Sequence, residues 1–239
     1  HKVIAVPSPD GKLTPAMIES VPELHSDEHQ VKPAMAYVSN TTETGTVYSK
    51  AELTALRQCC DEHGLLLFLD GARLGPALAC GDLTLPDYAA LTDAFYIGGT
   101  KNGALFGEAL VFAKPRPDFR WHMKRRGAML AKGRLLGVQF QALLEDGTYL
   151  DAARHANALA LRLRDGVAAL GYPLPIASPS NQQFPVFPNE VIAKLQEMGY
   201  EFEVDHAVDG GHTCIRLVAS WATPEQAVED FLRDLASCK

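Results

Sequence analysis

Short apolar runs alternate with helical patterns along the first part of the chain. Four of these runs have the length of strands, and they span residues 34–40, 65–69, 94–97 and 109–113. The run over residues 65–69 is unbroken, which is typical of a strand buried on both faces of a parallel sheet. Helices are predicted between the runs, over residues 50–63 and 86–92. The first should begin at a capping box formed by Ser49 and Glu52, and it should end at Gly64. This alternation predicts an α/β sheet covered by helices.

The pattern changes near residue 146. A helix is predicted over residues 132–144, Gly147 interrupts it, and a long amphipathic helix is predicted over residues 150–170. Shorter elements follow, with strands predicted over 183–187, 200–204 and 213–219 and helices over 188–198 and 224–235. We therefore expect part of a larger domain in residues 1–145 and a smaller α+β domain in residues 146–239.

Composition and charge exclude several classes of protein. The 239 residues are 47% apolar and 21% charged, as in an ordinary globular chain. With 22 basic and 29 acidic residues, the net charge of -7 argues against a nucleic-acid partner. The basic cluster at residues 120–126 is predicted to be a solvated face, with a small bound anion or phosphate as the alternative. No apolar run approaches the roughly 20 residues of a membrane span, so we expect no membrane partner.

The cysteines and two histidines carry no clear motif. The five cysteines are scattered without a CxxC pair, and they are Cys59, Cys60, Cys80, Cys214 and Cys238. Such spacing predicts neither a disulfide framework nor a metal site, and it is typical of buried thiols in a reducing, cytoplasmic protein. His206 and His212 could act as general bases, but a lone histidine carries no role by itself.

Two charged residues follow strands of the predicted sheet. Asp70 ends one apolar run, and Lys101 follows another after Gly98-Gly99-Thr100. Their separation is about one βαβ unit, so parallel strands would bring them to the same sheet edge. There, a lysine can form a Schiff base with a carbonyl cofactor, and a carboxylate can keep a pyridine nitrogen protonated. Pyridoxal phosphate needs these two groups, although a structural salt bridge would use the same pair. A phosphate-loop motif is excluded at Lys12, because Leu13 follows it.

Three segments within residues 32–107 resemble the threonine aldolase and aromatic amino acid β-eliminating lyase family. They are Tyr37-Val38-Ser39-Asn40-Thr41-Thr42-Glu43, Leu67-Phe68-Leu69-Asp70-Gly71-Ala72-Arg73-Leu74-Gly75 and Tyr96-Ile97-Gly98-Gly99-Thr100-Lys101-Asn102-Gly103-Ala104. Weaker similarity continues through residues 127–139, 181–189 and 214–221, and it therefore reaches nearly the whole chain. The resemblance implies a three-layer, mostly parallel sheet of the aspartate aminotransferase-like type (fold type I), with a smaller α+β C-terminal domain.

The resemblance also implies roles for individual residues. Lys101 matches the family's Schiff-base lysine, and Asp70 matches the aspartate at the pyridine nitrogen of pyridoxal phosphate. Arg73 matches an arginine near the cofactor's phenolic oxygen, and Arg216 matches an arginine that binds the substrate carboxylate. No metal is implied. Relatives form homodimers or homotetramers, so a homo-oligomer that takes a small amino acid substrate is expected.

The activity implied by the resemblance is cleavage of the Cα–Cβ bond of a β-hydroxy amino acid, giving glycine and an aldehyde. β-Elimination or racemisation on the same scaffold is the alternative within enzymes, and a non-catalytic remnant that only oligomerises is the alternative outside them. The chain begins at His1 rather than Met, and its first residues match a later family segment. We therefore expect an N-terminally truncated chain that lacks the family's phosphate-binding turn and ring-stacking histidine, and that is weak or inactive alone.

Overall fold

The computed structural model describes residues 2–25 and 27–239, so His1 lies outside the described residues. Within these ranges the chain forms nine helices and eight strands. The first elements are α1 (Pro15–Leu24), β1 (Met35–Ser39), α2 (Lys50–Glu62), β2 (Leu66–Asp70), α3 (Leu74–Cys80), α4 (Leu85–Leu91), β3 (Ala94–Ile97), β4 (Ala109–Phe112) and α5 (Phe119–Arg125). The others are α6 (Arg134–Glu145), α7 (Thr148–Ala169), β5 (Gln182–Gln183), β6 (Val186–Pro188), α8 (Asn189–Glu197), β7 (Glu203–Ala207), β8 (His212–Val218) and α9 (Glu225–Ser237).

The first four strands form sheet A in the order β1-β2-β3-β4. β1, β2 and β3 are parallel, and β4 is antiparallel to β3. The predicted α/β fold with a mostly parallel sheet is therefore confirmed. Its parallel strands end in register, since Ser39 pairs with Asp70 and Leu69 pairs with Phe95. Parallel pairing brings the carboxyl ends of three strands, and the turns that follow them, to one edge of the sheet.

Helix α2 begins at the predicted capping box. The Glu52 N–H donates to Ser49 Oγ at 3.2 Å, and Glu52 Oε2 accepts the Ser49 N–H at 2.7 Å. Gly64, just beyond the helix, has φ +63°. This left-handed conformation is common for the glycine that ends a helix. Both ends of α2 were therefore predicted from local sequence alone.

Helices cover one face of sheet A. Val38, Leu67, Leu69 and Phe95 point into a buried cluster with side chains of α2, α3 and α4. The prediction that β2 is buried on both faces is wrong within the described residues, because Leu66 is 45% exposed. Its neighbours across the sheet on that face, Met35 and Tyr37, are also exposed. The apolar run is continuous because both faces of β2 carry large apolar side chains, but the described helices pack against only one of them.

A second group of strands lies against the C-terminal helices. β8 pairs antiparallel with β5, β6 and β7, and a second buried cluster joins β8 to α7, α8 and α9. Helix α7 contributes Tyr149 to the first cluster and Leu159 to the second, so it links the two cores. The structure describes no helix that is both long and apolar enough to cross a membrane.

Some elements differ from the sequence prediction. The strand predicted over residues 183–187 is two short strands, β5 and β6, on either side of Phe184 and Pro185. Proline lacks the N–H that a continuous ladder would use. The strand predicted over residues 200–204 begins only at Glu203 and reaches Ala207. Helices α1, α3 and α5 were not predicted.

Candidate active site

The carboxylate of Asp70 lies at the carboxyl end of β2, between two tyrosines. The Tyr37 hydroxyl donates to Asp70 Oδ2, and the Ala72 N–H donates to Oδ1 at 2.9 Å. Tyr96, from β3, also interacts with Asp70 through its hydroxyl. The side chain is therefore held by groups from both neighbouring strands and from its own turn.

These contacts keep Asp70 ionised. Burial acts to raise the pKa of Asp70, but the donors Tyr37, Tyr96 and the Ala72 N–H outweigh it and lower that pKa. The positive charge of Lys101 acts in the same direction. Conversely, burial and then Asp70 raise the pKa of Tyr37 to about 12, and the same two causes also raise the pKa of Tyr96. The tyrosines therefore remain protonated donors to a charged carboxylate at neutral pH.

Lys101 lies in the turn after β3, and its side chain is exposed at the same sheet edge. The Asn102 and Ala104 N–H groups both donate to the Gly99 carbonyl, at 2.9 and 3.0 Å. These bonds close the turn around Lys101. Lys101 is close enough to Asp70 for its positive charge to lower the pKa of that carboxyl group, so the two residues share one sheet edge, as their spacing predicts.

Two glycines let the Asp70 and Lys101 turns touch. The Gly98 N–H donates to the Gly71 carbonyl at 2.9 Å. A Cβ at Gly71 would lie 1.8 Å from the Tyr96 carbonyl oxygen, and a Cβ at Gly98 would lie 2.4 Å from the Ala72 carbonyl oxygen. Both contacts are with backbone atoms, which cannot rotate away. Only glycine fits at these two positions in this arrangement.

Three residues that the sequence analysis did not identify hold the Lys101 turn. The Tyr149 hydroxyl donates to the Gly98 carbonyl at 2.8 Å, and the Asn102 amide donates to the Tyr149 carbonyl at the same distance. A Glu108 carboxylate oxygen accepts the Gly99 N–H. Tyr149 is 51 residues from Gly98 along the chain, and no local pattern reveals such a contact.

Arg73 and Arg216 lie close enough for their positive charges to influence each other. Arg73 precedes α3, only 10% of its side chain is exposed, and one nitrogen lies 3.5 Å from Glu43. Burial is the main cause that lowers the pKa of Arg73; Arg216 acts in the same direction and Glu43 opposes it. The two guanidinium groups are therefore close enough to influence each other. An anion between them would relieve their repulsion.

Arg216 reaches the site from β8. Its nearest carboxylate is Glu203 on β7, at 4.0 Å. Its Nε is buried and has no hydrogen-bond partner in the part of the chain that the structure describes. A buried guanidinium N–H without a partner is costly, and a bound carboxylate would satisfy it.

The remaining sequence candidates lie apart from these contacts. The basic cluster falls largely on α5, none of whose residues is buried, so its side chains are exposed, as a solvated face requires. His206 and His212 lie on the β7–β8 hairpin, where each contacts a neighbouring aspartate. All five cysteines are free, and four of them are buried.

Comparison with known proteins gives consistent matches. The β-eliminating lyase family model matches residues 1–190. Low specificity L-threonine aldolase from Pseudomonas sp. (strain NCIMB 10558) is 35% identical over 240 residues, covering 98% of this chain and 68% of that protein. The enzyme of the same description from Pseudomonas aeruginosa is 33% identical with the same coverage. A solved structure of Leishmania major threonine aldolase is 45% identical with a TM-score of 0.96, and the match covers 99% of this chain and 70% of that one.

The tyrosine–aspartate contact predicts a change in one tyrosine pKa. In an Asp70→Asn variant, the pKa of Tyr37 should fall from about 12, because the nearby negative charge is removed. It should stay above the ordinary value of about 10, because burial is the larger cause. NMR titration of ¹³Cζ-labelled tyrosine measures this change directly. Tyr200, whose hydroxyl donates to Asp234 and whose pKa is also raised to about 12, is the internal control and should not move. An unchanged Tyr37 would contradict the described contact.

Proposed function

Because the chain belongs to the β-eliminating lyase family, whose fold type I its sheet shares, we propose that it carries the active site of a pyridoxal-phosphate-dependent lyase. The substrate is a small β-hydroxy amino acid, and cleavage of its Cα–Cβ bond gives glycine and an aldehyde. The observation that carries this proposal is the placement of Asp70 and Lys101 at one edge of sheet A, close enough for the charge of Lys101 to lower the pKa of Asp70. The threonine aldolase descriptions of the similar proteins support the substrate class.

The residues at this edge fit the cofactor. They comprise an ionised carboxylate, a lysine in a closed turn, and two arginines, of which Arg216 has a buried Nε without a hydrogen-bond partner among the described residues. When bound, pyridoxal phosphate supplies a carbonyl carbon that an amine can attack and a ring that withdraws electrons from the substrate's Cα. The carbonyl carbon needs an amine, which Lys101 provides, and the ring needs a carboxylate at its nitrogen, which Asp70 provides.

Asp70 is proposed to hold a proton on the ring nitrogen. Its charge is maintained by three donors, so the carboxylate remains available as an acceptor at neutral pH. A charged carboxylate stabilises a protonated pyridine, and protonation makes the ring a stronger electron acceptor. Tyr37 and Tyr96 act through Asp70, by keeping it ionised and fixing its orientation.

Lys101 is proposed to be the amine that binds the cofactor's carbonyl carbon. The exposed side chain projects from a turn whose backbone is fixed by Gly99, Tyr149 and Glu108. A fixed turn limits the positions that the amine can reach, which lowers the entropic cost of placing it at one atom. Whenever the Lys101 amine is not bound to the cofactor, it would remain at the site and could accept or donate a proton.

Arg216 is proposed to bind the substrate's carboxylate, and Arg73 to bind near the cofactor's phenolic oxygen. A guanidinium can donate two parallel hydrogen bonds to one carboxylate, which fixes orientation as well as position. Orientation matters because the bond to Cα that lies best aligned with the ring's π-system is the bond that breaks. Arg216 therefore contributes to the choice between Cα–Cβ cleavage and loss of another group.

Domain division, assembly and location complete the proposal. We keep residues 1–145 as part of the cofactor domain and residues 146–239 as the smaller domain, supported by the two separate buried clusters. A homodimer or homotetramer is proposed from the family resemblance, and sedimentation velocity tests it. A cytoplasmic location is supported by the five free cysteines, which are typical of a reducing compartment.

The first test maps where the cofactor binds. Purified protein is incubated with pyridoxal phosphate and reduced with borohydride, which fixes the bond between a lysine amine and the cofactor. Peptide mass spectrometry should find the label on Lys101, because the fixed turn holds its amine where the cofactor's carbonyl carbon would lie. Lys101→Ala should remove that label, while Lys114→Ala, at the end of β4, should leave it unchanged. A label spread over surface lysines in both variants would contradict the proposed site.

The second test measures the reaction and the role of Arg216. Because the present chain is expected to be weak or inactive alone, the assay uses a full-length version, which should release acetaldehyde from threonine; release of ammonia with a keto acid would favour β-elimination instead. In an Arg216→Lys variant, kcat/KM should fall roughly 10- to 100-fold, as expected when a charge-assisted hydrogen bond is lost. Most of the loss should appear as a higher KM for threonine. The control, Arg162→Lys on α7, loses only exposed contacts to Glu225 and Glu229 and should behave as the wild type. Equal kinetics for the two variants would remove Arg216 from the site.

A further inference from the structure

The β7–β8 hairpin brings three different metal-binding side chains together. The ligand atoms of Asp205, His206 and Cys214 all lie within 4.8 Å of one another. Asp205 and His206 are exposed on β7, and Cys214 is buried on β8. We infer that these three residues form a binding site for a divalent cation of the Zn²⁺ class, with water as a further ligand.

A β-bulge is what builds this cluster. Glu203 pairs with Arg216 and Val204 pairs with Ile215, but the next pair joins His206 to Cys214, so Asp205 is an extra residue. In a regular strand, neighbouring residues point to opposite faces. A bulge sets two residues opposite one, and here Asp205 and His206 both face Cys214. Without the bulge, Asp205 and His206 would point to opposite faces of the hairpin, and only one of them could face Cys214.

The chemistry of the three ligands selects the class of ion. A thiolate sulfur, an imidazole nitrogen and a carboxylate oxygen together are typical of Zn²⁺, whereas Mg²⁺ and Ca²⁺ prefer oxygen alone. One thiolate and one carboxylate also balance the charge of a divalent ion. Coordination requires Cys214 to release its thiol proton to solvent.

The present contacts are compatible with a small rearrangement on binding. Asp205 Oδ2 lies 2.7 Å from His206 Nδ1, and the Cys214 thiol has only a weak contact with the Phe184 carbonyl at 3.8 Å. Ligands of a tetrahedral Zn²⁺ lie roughly 3–4 Å apart, given bonds of about 2.0–2.3 Å. The ligand atoms of the cluster lie within 4.8 Å of one another, so they need to approach by only about 1 Å. Rotation of the exposed Asp205 and His206 side chains toward the thiol can supply this movement. A bound ion would then join β7 to β8, two residues from Arg216.

This site does not depend on the proposed reaction. It was not predicted from the sequence because Cys214 belongs to no CxxC pair and lies eight positions after His206, across a hairpin turn. Strand pairing, rather than a local motif, assembles the ligands. Its test can therefore fail or succeed independently of any lyase activity.

The test measures Zn²⁺ binding by tag-free protein in competition with a chromophoric chelator. A Cys80→Ser background removes the exposed thiol, so that the buried cluster is observed alone. One Zn²⁺ per chain is expected, and X-ray absorption should show one sulfur neighbour at about 2.3 Å. Mg²⁺ in excess should not displace it.

Variants then assign the ligands. Asp205→Asn and His206→Gln change exposed side chains, so they should fold, and each should weaken Zn²⁺ binding at least about tenfold. Cys214→Ser should remove the sulfur signal. His212→Gln is the matched control, because His212 lies on the same hairpin but contacts Asp209 instead. Absence of stoichiometric binding, or equal binding by the Asp205, His206 and His212 variants, would overturn the inference.

Discussion

The close approach of two glycine turns is the constraint on which the rest of the site depends. Gly71 follows β2 and Gly98 follows β3, and a backbone hydrogen bond joins them. A side chain at Gly71 would collide with the Tyr96 carbonyl oxygen in β3, and one at Gly98 would collide with the Ala72 carbonyl oxygen in the facing turn. Because these turns touch, the carboxylate at the end of β2 and the lysine after β3 share one edge of the sheet. A larger residue at Gly71 or Gly98 would push the two turns apart, and it would thereby separate the carboxylate from the lysine.

Neutral hydroxyl donors stabilise the negative charge of Asp70, and the two arginines come from different parts of the chain. Tyr37 and Tyr96 hold Asp70 ionised from the two neighbouring strands, although burial opposes its charge. Arg73 comes from the same turn as Asp70, whereas Arg216 comes from β8 in the other group of strands. The site therefore joins the two parts of the chain. A ligand with a carboxylate would find cationic groups that the described residues leave partly unsatisfied.

Local sequence predicted much of this arrangement, because most of sheet A and the start of α2 depend on short-range patterns. The capping box at Ser49 and the apolar runs are of that kind. Helix α3 was missed because it is short and contains Gly75 and Pro76. The partners of Asp70, the Tyr149 contact and the bulge at Asp205 were missed because each depends on strand register or on residues far apart in the chain. The roles of Arg73 and Arg216 were available only through resemblance to a family, since an arginine on a strand has no diagnostic spacing.

The central claim is that the charged Asp70 carboxylate acts on the ring that Lys101 binds. ¹⁵N NMR of pyridoxal phosphate labelled at its ring nitrogen and bound to the protein tests this claim directly. The account predicts a protonated nitrogen in the wild type at neutral pH, and an unprotonated one in the Asp70→Asn variant with the cofactor still bound at Lys101. The same protonated signal in both proteins would contradict it.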